Sequence, residues 1–169
     1  MIVRILPIPK ICDISFTLLF KGKKQSLIAE WVDEFLNDFF KRDVFYQPAI
    51  ACLKEAQKDA HLTMLMSTSP IFIVSAIAKR LHIDICHATS YTLDSNGCYL
   101  EVEKALLPTD KAAFLALYAK RFHLMKEDLA AYSDSYIDLP MLKEAGSPVG
   151  VNPDRFLLAY CERRKWKVI

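Results

Sequence analysis

The chain has 169 residues, of which 53% are hydrophobic, which suffices for one domain with a substantial core but not for two comfortable ones. Its formal net charge of +2 provides no strong attraction to nucleic acid, so we expect no nucleic-acid partner. Five cysteines without a CxxC pair indicate reduced thiols, and no apolar run approaches the length that spans a membrane. We therefore expect a single soluble, cytoplasmic domain over residues 1–169, with no transmembrane segment.

The predicted elements of the first half begin with a short buried strand over 10–14, directly after Pro9. Apolar side chains at helical spacing then predict a strongly amphipathic helix over 24–42. A helix over 48–59, a strand over 62–66 and a helix over 70–81 follow.

The second half continues the alternation of strands and helices. Two strands, 83–91 and 98–102, flank a hairpin turn made of Asp94, Ser95, Asn96 and Gly97. The remaining elements are a helix over 109–122 with Thr109 as its N-cap, a strand ending before Asp134, a helix from Pro140, a strand over 148–151, a last helix opened by Asp154 and a closing segment 166–169. This order predicts an α/β fold with a mostly parallel sheet and right-handed crossovers.

Three polar residues directly follow strand-like runs: Asp13, Ser67 and Asp134. The carboxyl ends of parallel strands form the ligand-binding edge of such a sheet, so we expect these residues on one rim. Asp134 and Asp138 stand four residues apart where an apolar run stops and a helix begins, and their hard oxygen atoms suit Mg²⁺. The alternative is structural, because Asp is also an ordinary N-cap and first-turn residue.

Four segments resemble the motifs of the haloacid dehalogenase-like hydrolase superfamily, and within it the phosphoserine-phosphatase-like branch. The run Asp13-Ile14-Ser15-Phe16-Thr17-Leu18 is similar to the nucleophile signature DxDxTL, and Ser67-Thr68-Ser69-Pro70 to the second motif. Lys111 matches the position of the third-motif lysine. Residues 132–154, with Asp134 and Asp138, resemble the acidic fourth motif and its continuation.

The resemblance implies a Rossmannoid three-layer sandwich and a phosphatase site. Asp13 would attack phosphorus and form an aspartyl phosphate, with Thr17 as a further residue of the motif. Mg²⁺ would be held by Asp13, Asp134 and Asp138 and by the backbone carbonyl of Ser15. The remaining phosphate oxygens would be bound by Lys111, the Ser67 hydroxyl and backbone N–H groups around Thr68.

Ser15 departs from the family pattern, because the family's phosphatases carry a second Asp there as general acid and base. Serine cannot do this at neutral pH, and the loss of such a group typically costs ~10²–10⁴ in rate. Two functions follow as alternatives. One is a slow Mg²⁺-dependent phosphomonoester hydrolase; the other is a degenerate member that binds a phosphorylated ligand or protein partner without turnover.

The space for a cap is short, since only residues 20–46 separate the first motif from the resumed core. A reduced helical cap leaves an open site, which favours a bulky phosphorylated substrate on a lipid, glycan or protein. The apolar face of helix 24–42 is wide. It serves for packing against the core or, as the alternative, for a homodimer, partner or membrane-surface contact.

Overall fold

The computed structural model describes residues 7–42 and 44–169, which divide into two compact units. The first unit takes in the described residues up to Phe45 together with Leu53–Leu106, and the second takes in Tyr46–Cys52 and Leu107–Ile169. The helices are α1 (Ile8–Leu19), α2 (Gln25–Lys41), α3 (Gln47–Lys58), α4 (Ile71–Arg80), α5 (Pro108–Arg121), α6 (Leu139–Glu144) and α7 (Arg155–Arg164). The strands are β1 (Met64–Pro70), β2 (Ile85–Leu93), β3 (Tyr99–Lys104), β4 (Ala130–Ser133), β5 (Ser147–Gly150) and β6 (Lys167–Val168).

The sheet of the first unit has the order β1-β2-β3, with β1 parallel and β3 antiparallel to β2. The predicted hairpin between β2 and β3 is confirmed. Asp94 Oδ1 accepts hydrogen bonds from the backbone N–H groups of Asn96 and Cys98, and Gly97 has a φ of +73°, which a residue with a side chain rarely adopts.

Helix α1 replaces the strand predicted over 10–14, so that prediction was wrong. Pro9 lies in the first turn, where its missing N–H costs no intrahelical bond. Cys12, Phe16 and Phe20 follow at four-residue spacing, and Phe16 is buried with its ring stacked on Tyr91 at 5.0 Å. The segment is therefore a helix because residues spaced by four lie on one face of a helix, and all three side chains can then face the sheet.

Helix α2 confirms the helix predicted over 24–42. Ile28, Val32 and Leu36 are buried along one face and form the core of the first unit with Phe16 and Tyr99. The neighbouring face carries Trp31 and Phe35, which are 45% and 52% exposed. The apolar stripe of α2 is thus wider than the part that packs against the core.

The second unit is built on the parallel sheet β4-β5-β6. Helix α6 packs against α5 and the strands β4 and β5, and α7 packs against β5 and β6. The buried hydrophobic side chains of this unit are Ala131, Leu139, Met141, Leu142, Ala145, Val149, Leu157 and Cys161. The half-buried Trp166 directly precedes β6.

Helix α5 begins one residue earlier than predicted, so Thr109 as its N-cap was wrong. Pro108 occupies the first helical position and Leu107 is the N-cap. The Asp110 carboxylate accepts a hydrogen bond from the Leu107 N–H at 2.8 Å. That contact satisfies a backbone donor that would otherwise be left at the helix end.

Three of the four pairings between the strands that the structure describes are parallel, so the predicted α/β class with mostly parallel pairing is confirmed. All five cysteines are free thiols. Among the described residues, each helix is too short or too polar to cross a membrane. The single domain over 1–169 and the cap over 20–46 stay predictions.

Candidate functional site

A buried ion pair joins Lys111 to Asp138 in the second unit. Lys111 lies in the first turns of α5, and Asp138 ends the 3₁₀ turn that leads into α6. Lys111 Nζ donates to Asp138 Oδ1 at 2.7 Å and to Oδ2 at 2.8 Å, and each residue is 7% exposed. Each charge is thereby matched by its partner, which a charged group almost removed from water requires.

The Ser133 hydroxyl extends this pair into a network. Ser133 Oγ donates to Asp138 Oδ2 at 2.9 Å and accepts from the Ser135 backbone N–H at 3.2 Å. The Asp138 carboxylate therefore receives hydrogen bonds from two residues, and the turn that carries it is tied to the end of β4.

Asp134 directly follows β4, as predicted, and its side chain is exposed. In the part of the chain that the structure describes, no hydrogen bond or ion pair engages its carboxylate. The Asp134 backbone C=O accepts a hydrogen bond from the Asp154 N–H at 2.7 Å. The two acidic residues of the loop thus differ: Asp138 is committed to Lys111, while Asp134 keeps its carboxylate oxygens available.

Asp154 holds the other side of this loop. Its Oδ1 caps α7 by accepting from the N–H groups of Phe156 and Leu157, both at 2.9 Å. Its Oδ2 accepts from the Tyr136 N–H at 2.7 Å and from the Ser135 hydroxyl at 3.2 Å. The hydrogen bonds from the Leu157 and Tyr136 N–H groups hold the pKa of Asp154 below its ordinary value.

The sequence predicted Asp154 as the opening of a helix and as the end of the fourth motif's continuation, but it predicted neither the second set of contacts of Asp154 nor those of Ser133. The helix-opening pattern of Asp154 is visible in the chain, but its second oxygen acts on residues 18 and 19 positions earlier. A contact of that kind leaves no local sequence signal. Ser133 likewise carries none beyond its position before Asp134.

The donor set of the loop fits Mg²⁺ through Asp134. Among the residues 7–42 and 44–169, no group of three or more His, Cys, Asp or Glu side chains could hold a metal ion. Mg²⁺ does not need such a cage, because it commonly binds one or two carboxylates together with water and a substrate phosphate. Asp134 offers such a carboxylate, and the Asp138 oxygens already accept from Lys111 and Ser133.

The other predicted site residues belong to the first unit. Asp13, Ser15 and Thr17 are exposed residues of helix α1. The prediction that Asp13 stands at the end of a strand was therefore wrong. The Ser15 carbonyl lies within the helical hydrogen-bond ladder, which already uses such groups as acceptors. The prediction failed because the four-residue spacing of Cys12, Phe16 and Phe20 makes this segment a helix, which places Asp13 within a helix rather than at a strand end.

Ser67 and Thr68 lie inside β1 rather than after it, because this strand extends to Pro70. The register with β2 shifts between Ser67 and Pro70. Ser67 Oγ accepts from the Ser69 N–H at 3.1 Å, and the Thr68 C=O accepts from the Thr89 hydroxyl at 2.7 Å. Both residues are half-buried at the carboxyl-terminal part of the strand.

A family model for haloacid dehalogenase-like hydrolases matches residues 12–143. The chain belongs to this family. The match begins within α1 and extends through Lys111, Asp134 and Asp138. The resemblance expected from the four motifs is therefore confirmed, and with it the α/β fold of the family.

Two relatives share about a third of their aligned residues with this chain. The inhibition of morphological differentiation protein of Streptomyces azureus is 32% identical over 153 residues, which are 89% of this chain and 54% of that protein. A phosphoserine phosphatase of Mycobacterium tuberculosis is 32% identical over 105 residues, which are 62% of this chain and 34% of that protein. The chain therefore spans about half of the first relative's length and about a third of the second's.

A solved structure of a Bordetella pertussis protein of unknown function shares the fold. It superposes with a TM-score of 0.83 at 22% sequence identity, covering 97% of this chain and 74% of the other. This likeness shows the shared fold, and the phosphoserine phosphatase relative supports the phosphoserine-phosphatase-like branch of the family.

Proposed function

We propose that this chain forms the Mg²⁺- and phosphate-binding site of a phosphomonoester hydrolase. The observation that carries the proposal is the buried Lys111–Asp138 pair, together with the exposed carboxylate of Asp134 in the same loop, which no described residue engages. A fixed cation and an available carboxylate, within one loop and the helix packed against it, suit a ligand that combines phosphate with a divalent metal.

Lys111 is suited to bind a phosphate oxygen. Its ammonium group carries three N–H donors, and the two Asp138 oxygens occupy two of them. Asp138 thereby orients the lysine and leaves one donor for a ligand. Mg²⁺ bound at Asp134 would neutralise phosphate charge, which favours attack by an anionic nucleophile.

Hydrolysis by this family's route needs a carboxylate that attacks phosphorus, expels the alcohol and is then released by water. Asp13 is the candidate that the sequence motif supplies, and Ser15 stands where the general acid and base would be. The position of Asp13 on helix α1 does not support this role. The nucleophile is therefore the part of the proposal that an experiment must decide.

The test is Mg²⁺-dependent phosphate release from a generic aryl phosphate. We expect Asp134→Asn to abolish the Mg²⁺ dependence, while Glu30→Gln, on the exposed face of α2, leaves release unchanged. If Asp13 is the nucleophile, Asp13→Asn abolishes release. Equal release from the native chain and Asp13→Asn would rule out an aspartyl phosphate on Asp13, and equal release from Asp134→Asn would rule out the metal site.

The second candidate function is binding of a phosphorylated ligand or protein partner without turnover. Ser15 and the helical position of Asp13 favour it. Serine takes the motif position at which the family's phosphatases carry an acid and base, and Asp13 lies within helix α1 rather than at a strand end. Calorimetric titration with Mg²⁺ and inorganic phosphate, together with an activity assay of Ser15→Asp, tests it. Substantial hydrolysis by the native chain would exclude this function, whereas hydrolysis that appears only in Ser15→Asp would establish it.

The substrate that we propose carries its phosphate on a bulky group. The support is the short segment between α1 and α3, in which α2 is the one long helix available for a cap. Comparing release from a phosphorylated peptide, a phospholipid headgroup in vesicles and a small phosphate monoester tests this choice. A strong preference for the small monoester would contradict it.

A further inference from the structure

We infer that Asp154 is a positioning residue for Mg²⁺ binding, because its carboxylate fixes the loop that carries Asp134. This inference rests on the proposed function, in which Asp134 is the metal ligand. It assigns to Asp154 a role beyond the capping of helix α7.

The main chain is fixed on both sides of Asp134. Before it, the Ser133 C=O accepts a hydrogen bond from the Val151 N–H at 2.9 Å. After it, the Asp134 C=O and the Tyr136 N–H both bind Asp154, each at 2.7 Å. The direction in which the Asp134 side chain leaves the backbone is therefore set by contacts on either side.

The two oxygens of Asp154 have separate tasks. Among the residues that the structure describes, Oδ1 accepts from the α7 N–H groups of Phe156 and Leu157 alone, whereas Oδ2 accepts from Tyr136 and Ser135 alone. Capping α7 alone would need one oxygen, which serine supplies as well as aspartate does. The second oxygen is the part of the side chain that acts on the metal-binding loop.

A fixed ligand binds a metal ion more tightly than a mobile one, because less conformational freedom is lost on binding. Partners that orient a metal ligand typically contribute about 10–100-fold in affinity. We therefore expect loss of the Oδ2 contacts to weaken Mg²⁺ binding by about tenfold while the fold is kept.

The deciding variant is Asp154→Ser, which keeps an oxygen for the helix cap and removes the acceptor for Tyr136 and Ser135. Its matched control is Asp84→Ser in the first unit. Asp84 Oδ2 likewise accepts one backbone N–H and one hydroxyl, both from Thr63 and both at 2.7 Å. The two variants lose similar hydrogen bonds, so they should lower the thermal midpoint by similar amounts.

Two measurements are made on the full chain: calorimetric Mg²⁺ titration and hydrogen exchange of the Tyr136 amide. We expect Asp154→Ser to raise the Mg²⁺ dissociation constant about tenfold and to accelerate Tyr136 exchange. Asp84→Ser should change neither. Asp154→Asn, which keeps one acceptor oxygen, should lie between, and it decides the question if the serine variant fails to fold.

The inference is overturned if Tyr136 exchange accelerates in Asp154→Ser while Mg²⁺ affinity is unchanged, or if Asp84→Ser weakens Mg²⁺ equally. Failure of the proposed function has a different signature. In that case Asp134→Asn binds Mg²⁺ like the native chain, or the native chain does not bind it, and Asp134 is not the ligand that Asp154 could position.

Discussion

Lys111 and Asp138 are charged residues that water hardly reaches, so each depends on the other for its charge to be balanced. Such a pair adds little net stability by itself, because desolvation opposes the attraction. Removal of one partner is different, since the remaining charge is left buried. The pair therefore holds α5 and the loop before α6 in one arrangement. A substitution that removes one partner destabilises the fold.

We predict that Lys111→Met lowers the free energy of unfolding by about 3–5 kcal/mol, because Ser133 is then the one side-chain partner that Asp138 keeps within the described part of the chain. Chemical denaturation measures this. Lys120→Met, an exposed position of the same helix, should change it by no more than about 0.5 kcal/mol. The double variant Lys111→Met with Asp138→Leu should recover much of the loss. A single variant as stable as the native chain would show that the pair is not a closed buried unit.

The sequence predicted the position of the acidic loop, but it did not predict that Asp138 pairs with Lys111 while Asp134 stays exposed. Asp134 after a strand and Asp138 before a helix could be read from local patterning, because strand ends and the proline at the next helix start are local signals. The partner of Asp138 lies 27 residues away. Burial and pairing of that kind arise from tertiary packing, which four-residue spacing cannot encode.

At the level of elements, α1 is the clearest departure from expectation. A short apolar run broken by two prolines fits a strand or the first turns of a helix, and periodicity over so few residues does not separate them. The longer α2 was predicted correctly because its apolar positions repeat over 17 residues. Because the segment was predicted as a strand, Asp13 was predicted at a strand end, whereas it lies within helix α1.

We predict that Phe16→Ala destabilises the protein by about 3–5 kcal/mol, because the ring is 3% exposed and stacks on Tyr91. Leu18→Ala, two residues later and 77% exposed, should cost no more than about 0.5 kcal/mol. Urea denaturation of both variants measures the difference. Similar losses would contradict the helical packing of α1.

The contact between Asp84 and Thr63 joins the residues that precede β2 and β1, and it predicts a dependence of stability on pH. Hydrogen bonds from the Thr63 hydroxyl and N–H lower the pKa of Asp84 below its ordinary value of 3.8. The unfolded chain therefore takes up the proton first as the pH falls. The stability that the contact contributes is complete above the ordinary pKa and is lost as the pH falls through the lowered one.

Urea midpoints measured from about pH 5 to about pH 2 test this. Asp84→Asn should be less stable than the native chain at the upper end, and the difference should shrink toward the lower end. Glu30→Gln, at an exposed position of α2, serves as the control. A difference that stays constant or grows on acidification would refute the assignment.

For the whole molecule, the division into two units makes a prediction about local opening. Leu142 is fully buried in the second unit and Leu36 in the first. We expect Leu142→Ala to lower the hydrogen-exchange protection of β4 and β5 more than that of β1 and β2, and Leu36→Ala to do the reverse. Equal loss of protection throughout in both variants would instead support the single domain that composition predicts.

Most of the architecture could be predicted from the chain because its signals are local: alternating strands and helices, the hairpin at Gly97 and the helix start at Asp154. What could not be predicted depends on contacts between distant residues. These are the Oδ2 contacts of Asp154, the burial of Lys111 and the division of the chain into two compact units. The resemblance of motifs identified the family, but it implied a strand-end position for Asp13, which lies in helix α1.

The two tryptophans are distributed one to each unit, with Trp31 on α2 and Trp166 before β6. Their surroundings differ, since Trp31 is 45% exposed beneath the Lys23 ammonium and Trp166 is half-buried against the ring of Tyr160. Intrinsic fluorescence therefore carries a red-shifted and a blue-shifted contribution from separate parts of the chain. Replacement of either indole by phenylalanine leaves an emission that follows one unit alone.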